Sequence, residues 1–490
     1  MIYVINLCQK EVFSAKFVTN WKRGSIVGEE KALQKTGKQE LRVPEKPKDQ
    51  PDYGCVPSRF WYTCFGSHLV LNACRFIFGI KVRADRRIKS LPGPMVIVGN
   101  HPSFIDPIIM ATALYGRPIN FVAGEFLFRR KIFGPVITKG GCIPKAQYRT
   151  DIRTVKAMMR VLSRGGVLGI FPEGTRLTDG HSIPFESGLA SLVKKTGSSL
   201  VVFRSHGAYL TWPRWSENSW RKGRITAEFT SVLPKEEVEK MSIDEIYEFM
   251  KKELEYDEFQ YFSDHPQNFH SKAIAAGVQN IANICPKCGG LNTTRVVDGK
   301  GDTSLRKDLR RKGNVLVCSK CGNKVSMNCR CFFEPAGPED KYFPDLRQWA
   351  EWEQGIYEKM ASEEDFCLKE KVELHKLCEE RYYAKVGEGV LTIRDGAITY
   401  EGTECAPEDG ILYKKGKPVK SQKDRDLSLV AKPVTKVFPI HQIRGMLMDY
   451  GKYMEVFEAG GKGNRLIPEN PQRLYEIHSI VQAMKKQDPS

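Results

Sequence analysis

Neither an internal repeat nor a secretory leader is visible in the sequence, and no uninterrupted apolar run is long enough to cross a bilayer. The missing repeat excludes solenoid and propeller designs, which copy one unit at a fixed period. The opening "MIYVINLC" has neither a basic leader nor a small-residue cleavage site, so a cytoplasmic active face is expected. A spanning helix needs about 20 mostly apolar residues. The best candidate, "FWYTCFGSHLVLNACRFIFGI" from Phe60 to Ile80, is broken by His68, Asn72 and Arg75. Acidic residues are in short supply as well: 58 against 76 lysines and arginines, a formal charge of +18. That balance favours anionic partners, and leaves a phospholipid surface, a nucleic acid and an acidic carrier protein all open.

What is present describes packed domains. At 490 residues the chain is too long for one ordinary domain, and two or three are expected. Hydrophobic residues at 41% beside 27% charged residues fit neither a disordered chain nor a multi-span membrane protein. Of fourteen cysteines, four form two CxxC pairs, which suits metal binding in a reducing compartment better than a disulfide framework.

Residues 1–55 read as a disordered tail, because "VPEKPKDQPDYG" is rich in proline and charge. Residues 56–90 read as a membrane-associated helical segment lying on an anionic surface. Arg59 precedes its apolar stretch, and Lys81, Arg83, Arg86, Arg87 and Lys89 follow it. From 91 to 262 strand and helix signals alternate. "MVIVG", "INFVAG", "GVLGIF" and "LVVF" are short apolar runs of the kind buried on both faces of a parallel sheet. Between them, "DIRTVKAMMRVLSRGG" ends on glycine as a helix does, and the expected fold class is α/β with a mainly parallel sheet. "SIDEIYEFMKKEL" opens on a Ser-x-x-Glu capping box at Ser242 and closes the domain. Residues 280–332 hold the paired cysteines. Residues 385–487 alternate in the strand period, with an Asp-Gly hairpin in "GVLTIRDGAITYEG" and a second hairpin in "MDYGKYMEVFEAGGKG". A helix follows, with Asn470 as cap and Pro471 in its first turn. That order suggests a β-rich domain of the pleckstrin-homology type.

Chemistry concentrates at two strand ends. In "VIVGNHPSFIDP", His101 and Asp106 would lie about 140° apart on a helix and share no face. Asp-Pro is a good helix start, however, so the helix is expected to begin at Pro107. That leaves His101 on a loop that curls back to Asp106, as a general base with its orienting carboxylate requires. "GVLGIFPEGTR" ends a second buried strand with Glu173, Gly174, Thr175 and Arg176. Glycine permits close backbone approach to a ligand, and arginine grips phosphate in a fixed fork. A base and an anion clamp together describe a site for a phosphorylated alcohol.

"NHPSFID" followed by "FPEGTR" resembles the glycerolipid acyltransferases, in particular the 1-acylglycerol-3-phosphate acyltransferase branch, over roughly residues 60–260. "FVAGEFLFRRKIFGPVITKGGCIPK" stands where that family has its acceptor-binding block. The resemblance implies direct transfer of a fatty acyl chain from a thioester, acyl-CoA or acyl-acyl carrier protein, to the free hydroxyl of a lysophospholipid. His101 would be the base and Asp106 its orienter. Arg176, with Glu173, Gly174 and Thr175, would hold the glycerol phosphate. No metal is implied for the chemistry. The chain departs from the family at Gly124 before Glu125, at Gln147 and at Val201-Val202-Phe203. Lys145 or Arg149 is then left to supply an acceptor charge, and the head group stays open, as does a non-catalytic lipid-binding adaptor.

"CPKCGG" and "CSKCG" lie outside the resemblance. Cys285, Cys288, Cys318 and Cys321 have the spacing of a tetrahedral structural zinc site of ribbon type. The basic "SLRKDLRRKGN" between them reads as a solvated hairpin in preference to a nucleic-acid surface.

Overall fold

The computed structural model describes residues 53–487, apart from 84, 147, 149–150, 218–219, 301–302, 304–309, 311–312, 379–381, 415–416, 420–425 and 458–462. The expected tail at 1–55 thus falls almost wholly outside the described residues.

The first unit is a seven-stranded sheet: β1 Ile80–Arg83, β2 Met95–Gly99, β3 Asn120–Gly124, β4 Ile143–Lys145, β5 Val167–Ile170, β6 Ser199–His206 and β7 Ile225–Leu233. Its order is β1-β7-β6-β2-β5-β3-β4. All pairs are parallel except β6–β7. The central strand "MVIVG" is buried at every position. Its side chains alternate between two apolar layers, as the two-residue strand period demands. Met95 and Ile97 pack with Val201, Phe203, Ile109 and Met110 on one face. Val96 and Val98 pack with Leu200, Val202, Val161, Val193 and Met250 on the other.

Local chemistry places the flanking helices. Asp151 caps Ile152–Ser163 by accepting from the Arg153 and Thr154 backbone N–H groups at 3.0 and 3.3 Å. Ser242 and Glu245 form the expected reciprocal capping box ahead of Ile243–Leu254. The segment before the sheet is helical in three consecutive pieces, Arg59–Trp61, a π-helical Tyr62–Leu71 and Asn72–Ile77. The expected helical segment 56–90 is interrupted at Ile80, the end of its apolar stretch, which opens β1 and pairs with Ile225 of β7. No helix among the described residues is long and apolar enough to cross a membrane. Phe60, Leu69, Val70 and Phe76 of this segment nevertheless face outward.

The second unit is a four-stranded antiparallel sheet: β8 Thr294–Val297, β9 Val315–Cys318, β10 Lys324–Met327 and β11 Phe333–Pro335. The long helix Leu346–Ala361 follows it. The third unit is a nine-stranded antiparallel sheet: β12 Leu368–Cys378, β13 Tyr382–Arg394, β14 Ala397–Glu404, β15 Ile411–Lys414, β16 Lys417–Pro418, β17 Lys432–Pro439, β18 Gly445–Asp449, β19 Tyr453–Phe457 and β20 Asn464–Pro468. It begins ahead of the expected Lys385, because β12 carries Lys369, Lys371 and Glu373 on its outer side and so lacks a continuous apolar run. Asp395-Gly396 turns β13 into β14. The terminal helix runs Arg473–Gln487. Asn470 Oδ1 accepts from the Gln472 N–H at 3.2 Å, so the expected cap closes a turn just before the helix instead of opening it.

These units share a core. One apolar cluster runs from Leu177, Tyr209 and Trp215, through Ile281, Ile284 and Trp349, to Met448, Tyr450 and Ile477.

Candidate active site

β2 and β5 are neighbours, with Val98 opposite Ile170. His101 and Glu173 each stand three residues beyond that pair, so the register alone brings the two motif loops together at the carboxyl ends of adjacent strands. The loops are tied by a hydrogen bond from the Leu177 N–H to the His101 carbonyl at 3.0 Å. Asn100 anchors the first loop to β6, its side chain bonding the Ser205 N–H and carbonyl at 3.0 and 3.1 Å. Ser103 Oγ donates to the Trp212 carbonyl at 3.0 Å.

Asp106 is the first residue of the helix Asp106–Ala113, where a cap was expected. Its side chain turns away from the helix. Oδ2 lies 2.7 Å from His101 Nδ1 and accepts from the Ser103 N–H at 2.8 Å. The side chain is fully buried, and Oδ1 has no hydrogen-bond partner among the described residues. The His101 ring is stacked on Phe171, with centroids 4.6 Å apart and planes 20° apart. With Nδ1 held by Asp106, Nε2 is the nitrogen left for a substrate, and His101 keeps about a fifth of its side chain exposed. Burial, then the Arg176 and Arg214 guanidiniums, pull His101 down from 6.5 to about 3, so the imidazole is neutral near pH 7. Burial pushes Asp106 up, against the Ser103 N–H and Arg176.

The residues of "PEGTR" divide by depth. Glu173 is buried with neither carboxyl oxygen in a well-formed hydrogen bond among the described residues, and burial followed by the charge of Asp106 drives its carboxyl well above the usual range, against the His101 N–H. Burial at this position thus works against a negative charge on Glu173. Gly174 has φ +68°, a left-handed conformation that penalises other residues. Its N–H is spent on the Phe171 carbonyl at 3.1 Å, which removes it as an oxyanion donor. Thr175 Oγ1 accepts from Arg214 Nη1 at 2.6 Å. Arg176 has no hydrogen bond or ion pair among the described residues, and its guanidinium lies 5.8 Å from the centre of the Phe104 ring. Burial and the charge of Arg214 bring it down to about 10, still fully charged near neutrality.

Lys145 is exposed at the end of β4 and makes no hydrogen bond or ion pair among the described residues. Gln147 and Arg149 lie outside the described residues. Between them, Tyr148 adopts φ +54° and donates its hydroxyl to the Met446 carbonyl of β18 at 2.9 Å. Sequence reasoning passed over Phe171, Phe104 and Arg214. A hydrophobic residue just after a strand carries no special signal, and the partners of Arg214 lie in distant segments.

The four cysteines converge separately. Their sulfurs all lie within 4.8 Å of one another, with Cys285–Cys321 at 3.6 Å and Cys288–Cys318 at 3.8 Å. Tetrahedral zinc–thiolate bonds of about 2.3 Å put sulfurs about 3.8 Å apart, so the set fits such an ion.

Comparison with known proteins bears on the first unit. Residues 79–204 match the family model described as Acyltransferase. The chloroplastic 1-acyl-sn-glycerol-3-phosphate acyltransferase LPAT1 of Arabidopsis thaliana is 28% identical over 150 residues, which are 30% of this chain and 42% of that protein. The 1-acyl-sn-glycerol-3-phosphate acyltransferase of Bacillus subtilis is 24% identical over 147 residues, 30% of this chain and 70% of that protein. The crystal structure of the 1-acyl-sn-glycerophosphate (LPA) acyltransferase PlsC from Thermotoga maritima superposes with a TM-score of 0.33 and 19% identity. It covers 40% of this chain and 76% of that one. The chain spans about two fifths of the length of the first curated relatives it matches. The matched segment begins just before β1 and ends within β6, and it encloses both motif loops, including the stretch that brings His101 beside Asp106.

Proposed function

We propose that this protein moves a fatty acyl chain from a thioester, acyl-CoA or acyl-acyl carrier protein, to the free hydroxyl of a lysophospholipid. The leading acceptor is 1-acylglycerol-3-phosphate, giving phosphatidate. The observation that carries the reading is the 2.7 Å contact between His101 Nδ1 and Asp106 Oδ2, with Nε2 left open beside an arginine that has no hydrogen-bonding partner among the described residues. Asp106 accepts a hydrogen bond from Nδ1–H and so fixes the tautomer in which the Nε2 lone pair faces the acceptor. Nε2 takes the hydroxyl proton as the oxygen attacks the thioester carbonyl. The tetrahedral intermediate then expels the thiolate, which receives that proton from the imidazolium. No covalent enzyme intermediate forms. Arg176 binds the acceptor phosphate, with Thr175 and Gly174 shaping the loop and Glu173 bracing it, and in this reading exposed Lys145 at the end of β4 adds a charge for an anionic head group.

Cys285, Cys288, Cys318 and Cys321 would hold a structural zinc ion, which cross-links the second unit and takes no part in acyl transfer. The acceptor's chains require a lipid surface, and the site of contact in this reading is the segment 56–90, on the cytoplasmic face. Outward Phe60, Leu69 and Phe76 supply apolar area there, and lysines and arginines supply attraction to anionic lipid. The deciding experiment is a panel of lysolipid acceptors and thioester donors with the purified protein in vesicles. Phosphatidate formation from lysophosphatidate is the expected outcome. Failure with every phosphorylated acceptor would overturn the reading.

A further inference from the structure

Arg214 lies outside both motifs, yet it joins the second motif to the distant third unit. Nη1 donates to Thr175 Oγ1 at 2.6 Å, next in sequence to Arg176. Nη2 donates to the Met448 carbonyl in β18. The guanidinium lies 5.6 Å from the centre of the Tyr450 ring, and its Nε is buried with no hydrogen-bond partner among the described residues. The hairpin β18–β19 is seated on the first unit by further contacts. Tyr148 donates to Met446 and packs 5.3 Å from Phe457. A side chain at Gly445 would meet the Tyr148 ring at 1.9 Å, so glycine is what lets hairpin and ring approach.

We propose that Arg214 is the second cation of the acceptor's phosphate site, and that the hairpin holding it makes the carboxyl-terminal sheet a wall of that site. The inference rests on the acyl-transfer reading and adds a residue and a domain to it. Arg214 is hydrogen-bonded to the residue next to Arg176, its charge bears on the Arg176 guanidinium, and neither arginine forms an ion pair among the described residues. Two neighbouring guanidiniums without a paired carboxylate oppose each other, and a phosphomonoester dianion is the ligand whose charge and oxygen count offset both. The carboxylate nearest in influence is Asp449, and its oxygens sit 3.2 and 3.3 Å from Lys452 Nζ. A mere tether between domains has no need of this charge, since a neutral donor can bridge Thr175 and the Met448 carbonyl.

The test compares R214A, R214Q and R214K with the wild type in the full-length protein. Acceptor and donor are varied separately, and unfolding is followed by circular dichroism. The expected result is an acceptor KM for lysophosphatidate raised about 10- to 150-fold in R214A and R214Q, the loss of one charge-assisted bond. Donor KM should stay within about 2-fold and R214K should recover part of the loss. An acceptor without a phosphomonoester, monoacylglycerol, should show no comparable change. Should R214A fail to fold, R214K against R214Q gives the same contrast at constant ability to donate a hydrogen bond. A lowered melting temperature with unchanged acceptor KM in R214Q would overturn the proposal and leave acyl transfer standing. Should the wild type acylate no phosphorylated acceptor, calorimetric titration with glycerol 3-phosphate separates the two ideas. Binding lost in R214Q supports the anion site even though the acyl-transfer reading falls, and binding equal in both removes the site as well.

Discussion

At the scale of single residues, the pair of His101 and Asp106 makes two separable demands. His101→Ala removes the proton acceptor, so kcat should fall about 10²- to 10⁴-fold while acceptor affinity changes little. Steady-state kinetics check this, and near-normal kcat would reduce His101 to a turn residue. The pH profile is a second test. A histidine at its ordinary 6.5 loses about three quarters of its basic form at pH 6. Here burial and two guanidiniums hold His101 below that value, so its base form persists through this window. The sign follows directly: lowering a base's pKa moves the acid limb of the rate to lower pH. Turnover at saturating acceptor should therefore stay flat from pH 8 to pH 6. Acceptor KM should begin to rise near pH 6, where a phosphomonoester loses its second charge. A kcat limb centred near 6.5 would mean that the imidazole is more solvated than its contacts with Phe171 and Asp106 require.

At the scale of elements, legibility followed the range of the forces involved. "MVIVG" announced a strand buried on both faces because its five residues are apolar and feed both layers. The capping box at Ser242 was legible because its two hydrogen bonds span three residues. The antiparallel run of β7 was hidden, since it depends on where the chain returns to β6 and not on composition. Arg214 was hidden for the same reason, its Met448 partner lying 234 positions away. The helical segment before β1 lies between these cases. Its apolar content was plain, but the exposure of some residues and the burial of Leu71, Cys74 and Phe78 were settled only by packing on the core. Each large apolar side chain transferred from water into lipid contributes roughly 1.5–3 kcal/mol. Replacing Phe60, Leu69 and Phe76 together with serine should thus weaken vesicle binding by at least about 100-fold in a sedimentation assay, while the fold is kept. Undiminished binding would place the lipid contact elsewhere, for example at exposed Phe126, Ile132 and Val136.

At the scale of the whole molecule, the cysteine cluster is physically continuous with the hairpin that contacts Arg214. Ile284, beside Cys285, donates its N–H to Glu353 at 2.8 Å and accepts from Trp349 Nε1 at 3.1 Å, which fixes the helix Leu346–Ala361. Asn292 and Thr294 bond Glu476 and Gln472 at 2.9 and 3.1 Å, which fixes the terminal helix. That helix holds the hairpin through His478 on Tyr450 at 3.1 Å and Lys485 on the Ile443 carbonyl at 2.5 Å. The hairpin in turn holds Arg214. If the four cysteines hold zinc as proposed, losing it removes the cross-link that orders this unit, because structural zinc contributes folding free energy outright. Damage starting at Cys285 should therefore pass through packed contacts to the acceptor side and leave the short path between β2 and Asp106 intact. Cys285→Ser, or prolonged chelation of the wild type, should release zinc, lower the melting temperature by several degrees and raise acceptor KM more than it lowers kcat. Elemental analysis, thermal unfolding and kinetics on one preparation check the chain of effects link by link. Zinc lost with acceptor KM unchanged would show that the cysteine unit stands apart from the site despite sharing its core.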